Sequence, residues 1–227
     1  MIGQDLRIQD LHKTYPGAEH PVFHGLDLAV AAGTLCAVVG ISGVGKTTLL
    51  NCVAALDRWD RGTLTLGGEP VPLGDPHQGS LWRRHRIGLA FQSPHLLPEF
   101  TVRENLRLPL LVEAPLSPAQ EAWIAELLDT VGLGALGDRY PNQLSGGQAA
   151  RAGLVRALVR KPALWLMDEP TGNLDPETAE EVFAFLLKLH AELRPTTLLV
   201  THNPELAGRC ERTVRLGAPP APEASVP

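Results

Sequence analysis

An unbroken apolar run, Leu35-Cys-Ala-Val-Val39, ends in Gly40 and leads straight into Ile-Ser-Gly-Val-Gly-Lys-Thr-Thr48. Five consecutive apolar residues leave no face for water, so the strand they form has to be covered on both sides, as strands are inside a parallel sheet. The glycines interrupt the strand, and the spacing after them predicts a helix over Lys46 to about Leu56. Strand, glycine loop and helix in that order constrain the chain to an α/β fold with a mainly parallel sheet.

Other segments agree with that fold and add a lobe to it. Gln4 to Leu11 alternates like a half-buried strand, and Leu26 to Val30 reads as another before a turn at Ala31–Gly33. Arg86 to Phe91 is a further strand candidate. From Thr101 to about Arg160 the pattern becomes helical: Thr101-x-x-Glu104 and Ser117-Pro118-x-Gln120 are capping boxes, opening helices over Val102–Leu111 and Pro118–Val131. Alternation of strand and helix then resumes. Ala163–Met167 reads as a buried strand, Asp175-Pro176 caps a helix with an apolar stripe at Val182, Leu186, Leu189 and Leu193, and Leu198–Val200 is another strand. There is no internal repeat. The expectation is one domain over 1–216 with a helical subdomain inserted at about 93–160, and a proline- and alanine-rich disordered tail over 217–227.

Composition excludes several classes. A net charge of -5 argues against a nucleic-acid surface, which is basic as a rule. No apolar run reaches the ~20 residues of a membrane span, and the first residues carry no basic segment followed by an apolar one, so a soluble cytosolic chain is expected. Of the 3 cysteines, Cys36 and Cys52 lie in apolar runs and read as buried, reduced thiols.

The chemistry sits in short motifs. Gly40-x-x-x-x-Gly45-Lys46-Thr47 is a phosphate-binding loop pattern in its proper context, with Ser42 and Gly43 inside it and Thr48 at its end. Its backbone N–H groups wrap phosphates, Lys46 neutralises them, and the Thr47 hydroxyl suits Mg²⁺. Asp168-Glu169 leave the end of a buried strand, where α/β sheets bind ligands; Asp168 suits Mg²⁺, and Glu169 suits orienting and deprotonating a water. Leu144-Ser145-Gly146-Gly147-Gln148 precedes a helix-forming run, Gln148 to Arg160, and makes a second anion-attracting helix start. His202 follows an apolar strand and can donate to a phosphate. Taken singly, His202 reads as structural, Gln92 as an exposed loop glutamine and Tyr15 as a packing residue.

In order along the chain, Tyr15, the Gly40–Thr47 loop, Gln92, Leu144–Gln148, Asp168–Glu169, Asn173-Leu174-Asp175 and His202 resemble the A-loop, Walker A, Q-loop, signature, Walker B, D-loop and H-loop of ABC-transporter ATPase subunits. The resemblance covers Met1 to about Leu216. "FQSPHLLPEFTVRENLRLPLL" and "DEPTGNLD" look most like the lipoprotein-releasing and macrolide-exporter ATPases, with the cell-division ATPase a near relative. It implies a P-loop NTPase fold of ABC type, with an N-terminal antiparallel β subdomain and an inserted α-helical one. It implies ATP and Mg²⁺ as ligands: Tyr15 on adenine, Lys46 and Thr47 on phosphates and metal, Gln92 on metal and coupling, Glu169 as base, His202 on the γ-phosphate and Asp175 beside the nucleotide. It also implies a head-to-tail dimer in which Ser145, Gly146, Gly147 and Gln148 serve the partner's ATP. Separate integral permease subunits would then hold the chain on the inner face of the cell membrane, without nucleic acid. A membrane-linked regulator of cell-wall remodelling is the alternative within the family. DNA-repair and ribosome types fit less well, since there is no long coiled coil and only one cassette. Departures from the family pattern are Ile41, Val44, Ala149-Ala150 and Gly153, the last placed inside a helix at a cost of ~1 kcal/mol.

Overall fold

The structure, a computed structural model, describes residues 2–217. The expected disordered tail therefore lies, save Gly217, outside the described residues. Two sheets organise the chain. One is antiparallel with order β2-β1-β4-β5, built from β1 (Leu6–Lys13), β2 (Phe23–Val30), β4 (Arg61–Leu66) and β5 (Glu69–Pro70). The other has order β6-β7-β8-β3-β9, built from β3 (Leu35–Val39), β6 (Ile87–Phe91), β7 (Leu164–Asp168), β8 (Thr196–Val200) and β9 (Arg212–Arg215). Every pairing in it is parallel.

The parallel sheet is covered on both faces, as its apolar runs demand. Cys36, Val38, Leu164 and Leu166 face a core shared with the antiparallel sheet and α1 (Lys46–Val53). Leu35, Trp165, Met167 and Leu199 face a second core with α3 (Val102–Leu111), α4 (Pro118–Thr130), α5 (Gly146–Leu158) and α6 (Pro176–Leu193). The α6 stripe buries Val182, Leu186 and Leu189 as predicted and adds Phe183, whereas Leu193 is only half-buried. Cys36 and Cys52 are buried thiols and Cys210 is half-buried; all are free.

Sequence expectations differ from the structure where pairing overrides pattern. The first strand runs two residues further than its alternation suggests, because Asp10 (φ 48) interrupts the register and shifts burial from Leu6 and Ile8 to Leu11 and Lys13. The β4–β5 hairpin turns on Gly67-Gly68, both with positive φ (60 and 79), the signature of a two-residue type I′ turn. The strand expected from Arg86 starts at Ile87, because Arg86 ends α2 (Pro76–Arg86). Asp75 accepts from the His77 and Gln78 N–H groups at the start of that helix, the same Asp-Pro device that opens α6.

Candidate active site

Strand register brings the chemical groups level. Phe91 pairs with Asp168, Asp168 with Val200, and Val38 with Val200, so β6, β7, β8 and β3 end within a residue of one another. The next residues along each strand are Gln92, Glu169, Thr201-His202 and Gly40. Four short sequence signals far apart in the chain thereby share one edge, where an open α/β sheet binds its ligand.

The phosphate loop is built by glycine where nothing else fits. Gly45 caps α1 with φ 102, and a Cβ on it would lie 2.4 Å from Val22 Cγ1. The Lys46 ammonium donates to the carbonyls of Gly40 (2.9 Å) and Ile41 (3.0 Å), which keeps its charge at the loop. The Thr47 hydroxyl donates to Asp168 Oδ2 at 2.8 Å. Burial pushes the Asp168 carboxyl above its ordinary range; the Thr47 hydrogen bond opposes this, the Glu169 charge adds to it and Lys46 opposes it. A hydroxyl and a carboxylate in contact are the hard oxygen donors that suit Mg²⁺, which takes one or two protein oxygens and completes its shell with phosphate and water.

Glu169 adopts a left-handed backbone (φ 47), a costly state for a non-glycine residue, of order 1–3 kcal/mol. Its N–H donates to Val200 O (3.0 Å) and its carbonyl accepts from Gly172 N–H (2.9 Å), which holds the turn. The side chain thereby meets His202, with Nδ1 2.8 Å from Glu169 Oε2. Gln92 Nε2 donates to Asn173 Oδ1 at 2.8 Å, and a Cβ on Gly172 would press on both Gln92 Nε2 (3.0 Å) and Glu169 Oε2 (3.2 Å).

Tyr15 stands just beyond β1, its hydroxyl 3.3 Å from Thr48 Oγ1 at the start of α1. The second glycine site is elsewhere. Ser145 is the N-cap of α5: its hydroxyl accepts from Gln148 N–H (3.3 Å) and the Gln148 side chain accepts from Ser145 N–H (2.9 Å). Gly147 lets α5 approach α6, since a Cβ there would lie 2.3 Å from Thr178 Cγ2. Asp175 accepts from Thr178 N–H (3.0 Å) as the α6 cap. Among the described residues no hydrogen bond joins Leu144–Gln148 to the Gly40–Thr48 loop.

Sequence reading missed what positions these groups. Gly153 is not simply a helix defect: a Cβ there would be 3.0 Å from Pro94 Cβ and 3.2 Å from Pro94 Cα, so the glycine admits the loop after Gln92 against α5. Arg156, one turn on, clamps the same loop by donating to Pro94 O (2.9 Å) and His95 O (2.5 Å). No motif marked Arg156, and its partners are backbone carbonyls that a sequence cannot name.

The family described as "ABC transporter" matches residues 23–172. The lipoprotein-releasing system ATP-binding protein LolD of Geobacter metallireducens is 45% identical over 214 residues, 93% of this chain and 95% of that protein. The protein of the same name from Anaeromyxobacter dehalogenans is 45% identical over 197 residues, covering 86% and 82% of the two. Among solved structures, the dimeric structure of MJ0796, a bacterial ABC transporter cassette, shares 32% identity with a TM-score of 0.81 over 93% of this chain and 94% of that one. A dimeric post-hydrolysis state of the same cassette bound to ADP and Pi is equally similar. A chain that keeps this sequence and this fold over nearly all its described length belongs to the ABC transporter family, as an ATP-binding and ATP-hydrolysing subunit.

Proposed function

We propose that this chain powers a lipoprotein-releasing transporter, working as a head-to-tail dimer beneath separate permease subunits on the inner face of the cell membrane. The substrate class rests on the near full-length similarity to proteins named LolD. The mechanism rests on one observation above all, the contact of Glu169 with His202 one residue beyond the Thr47–Asp168 pair.

In that reading, backbone N–H groups of Gly40, Ser42, Gly43, Gly45 and Thr48 surround the phosphates, and Lys46 offsets their charge. Thr47, Asp168 and Gln92 would hold Mg²⁺, which when bound neutralises charge on the phosphate oxygens. Glu169 accepts the proton of the attacking water. His202, oriented by Glu169, donates to the γ-phosphate. Tyr15 stacks on the purine. Ser145, Gly146, Gly147 and Gln148 at the start of α5, together with Asp175, face the partner's nucleotide. Among the described residues they make no hydrogen bond to their own phosphate loop; the Ser145 and Gln148 N–H groups are taken up by the capping box, and those of Gly146 and Gly147 in the first turn suit an anion. Closure then moves the helical lobe at about 93–160, and the loop after Gln92 carries the movement to the permease. Among the described residues no helix is long and apolar enough to cross a membrane; in this reading the spanning path belongs to the permease subunits.

Co-expression with a lipoprotein-releasing permease tests the assignment. The chain should pellet with membranes only when the permease is present, and its ATP turnover in that complex should rise when lipoprotein is added. Recovery in the soluble pool with the permease present would favour a soluble ATPase role instead.

A further inference from the structure

Tyr15 lies in no strand or helix, yet its ring is held from several sides. Tyr15-Pro16-Gly17-Ala18 is a turn closed by Ala18 N–H donating to Tyr15 O (3.0 Å), with proline second and Gly17 at φ 79 third, the order a type II turn requires. The preceding residue is pinned as well, because Thr14 N–H donates to Asp60 Oδ2 (2.7 Å). Beyond the backbone, the Tyr15 hydroxyl donates to Asp57 Oδ2 at 2.7 Å. Asp57 also accepts from Lys13 Nζ at 2.8 Å through its other oxygen, and Lys13 Nζ sits 4.3 Å from the centre of the Tyr15 ring. Lys13 is buried although charged, at 5% exposure, whereas Tyr15 keeps 39% of its surface.

From these contacts we infer that Lys13 and Asp57 are positioning residues for the purine: they tie Tyr15 to the phosphate helix and leave one ring face to stack on the base. The inference rests on the reading of Tyr15 as the base-stacking residue. Asp57 lies in the turn just past the end of α1, and Thr48 lies in its first turn. The hydroxyl of Tyr15 touches both, so the helix that carries Lys46 and Thr47 also fixes where the ring stands. With its single proton donated to the carboxylate, the Tyr15 oxygen is left to accept from the Thr48 hydroxyl at 3.3 Å. Burial raises the Asp57 carboxyl, but the Lys13 ammonium, the Tyr15 hydroxyl and the Arg58 N–H together outweigh it and hold the group below its ordinary value, an ionised acceptor. The ammonium covers one ring face at cation–π distance. An incoming purine has the opposite face alone, at a height and tilt already fixed. A loop tyrosine otherwise orders its side chain only on binding, at a cost the tether avoids.

Tyr15→Phe keeps the ring and deletes only the tether. The double change Lys13→Met with Asp57→Leu removes tether and cap while leaving no buried charge unpaired. Each should raise KM for ATP about three- to tenfold, the scale of one hydrogen bond, with the loss in KM rather than kcat. Inhibition by inorganic tripolyphosphate, which has the phosphates and no base, should not change. Wild-type ATP affinity in both variants, with Tyr15→Ala strongly weakened, would overturn the positioning role and leave the stacking reading standing. Wild-type affinity in Tyr15→Ala sinks the stacking reading itself. Equal weakening of ATP and tripolyphosphate would mean a general structural defect and would also overturn the inference.

Discussion

Glu169 shows at the scale of one residue how chemistry can override local preference. Glutamate has no reason of its own to take a left-handed backbone, yet φ 47 turns its carboxylate from the strand toward His202. The pairing spans 33 residues of chain, so neither motif foretold it. Glu169→Gln keeps the volume and an acceptor oxygen for the imidazole but cannot take a proton. ATP binding should persist while hydrolysis falls by roughly 10²–10⁴, the usual contribution of a positioned base. Measured single-turnover hydrolysis within a few-fold of wild type would remove Glu169 from the proton transfer. His202→Ala should likewise slow turnover and spare affinity for ADP, because the contact proposed for it is to the γ-phosphate.

Elements carry a second layer of meaning in the same glycines. Gly146 and Gly147 both read from sequence as an anion site, but they are not equivalent. A Cβ on Gly146 meets nothing nearer than Leu174 Cδ2 at 3.4 Å, whereas one on Gly147 would collide with the branched Thr178 at 2.3 Å. Gly147→Ala should therefore destabilise by about 1–3 kcal/mol, as overpacking does, and push the start of α5 away from α6. Gly146→Ala should unfold like the parent. Equal denaturation midpoints for the two variants would show that the α5–α6 approach does not depend on glycine. The capping boxes at Thr101 and Ser117 were legible because each is a local pattern, and both form; a third forms at Ser145, where the sequence pattern places the helix start at Gln148 instead of Gly146. The helix α2 was not, because only Gly79 and Trp82 of it are buried and its apolar periodicity is too sparse to read.

At the scale of the whole molecule, the question is why the chain has two glycine motifs that both read as anion sites, with no hydrogen bond between them among the described residues. The head-to-tail pairing proposed above would answer it, and a mixed dimer tests that proposal. One subunit carries Lys46→Ala and the other Ser145→Arg, both on a Glu169→Gln background so that nucleotide is trapped. If the signature acts on the partner's ATP, both lesions fall in one composite site and the other stays whole, so about one ATP should be occluded per dimer. If it acts within its own subunit, no intact site remains. No occluded ATP in a folded mixed dimer would refute the pairing.

What the residues alone determined was local or periodic. The buried run Leu35–Val39 with its glycine loop required a parallel α/β sheet, the capping boxes marked the helical lobe, and the order of motifs identified the family. Distance was beyond the sequence's reach, because hydrogen bonds between side chains or backbone atoms far apart in sequence leave no spacing to read. Only the register of β6, β7, β8 and β3 decided that Gln92, Glu169, His202 and Gly40 stand level. Only packing showed that Gly153 admits Pro94 and that Asp57 and Lys13 hold Tyr15. A strand pairing or a close approach is set by how separate segments share one core, and that is a property of the folded chain.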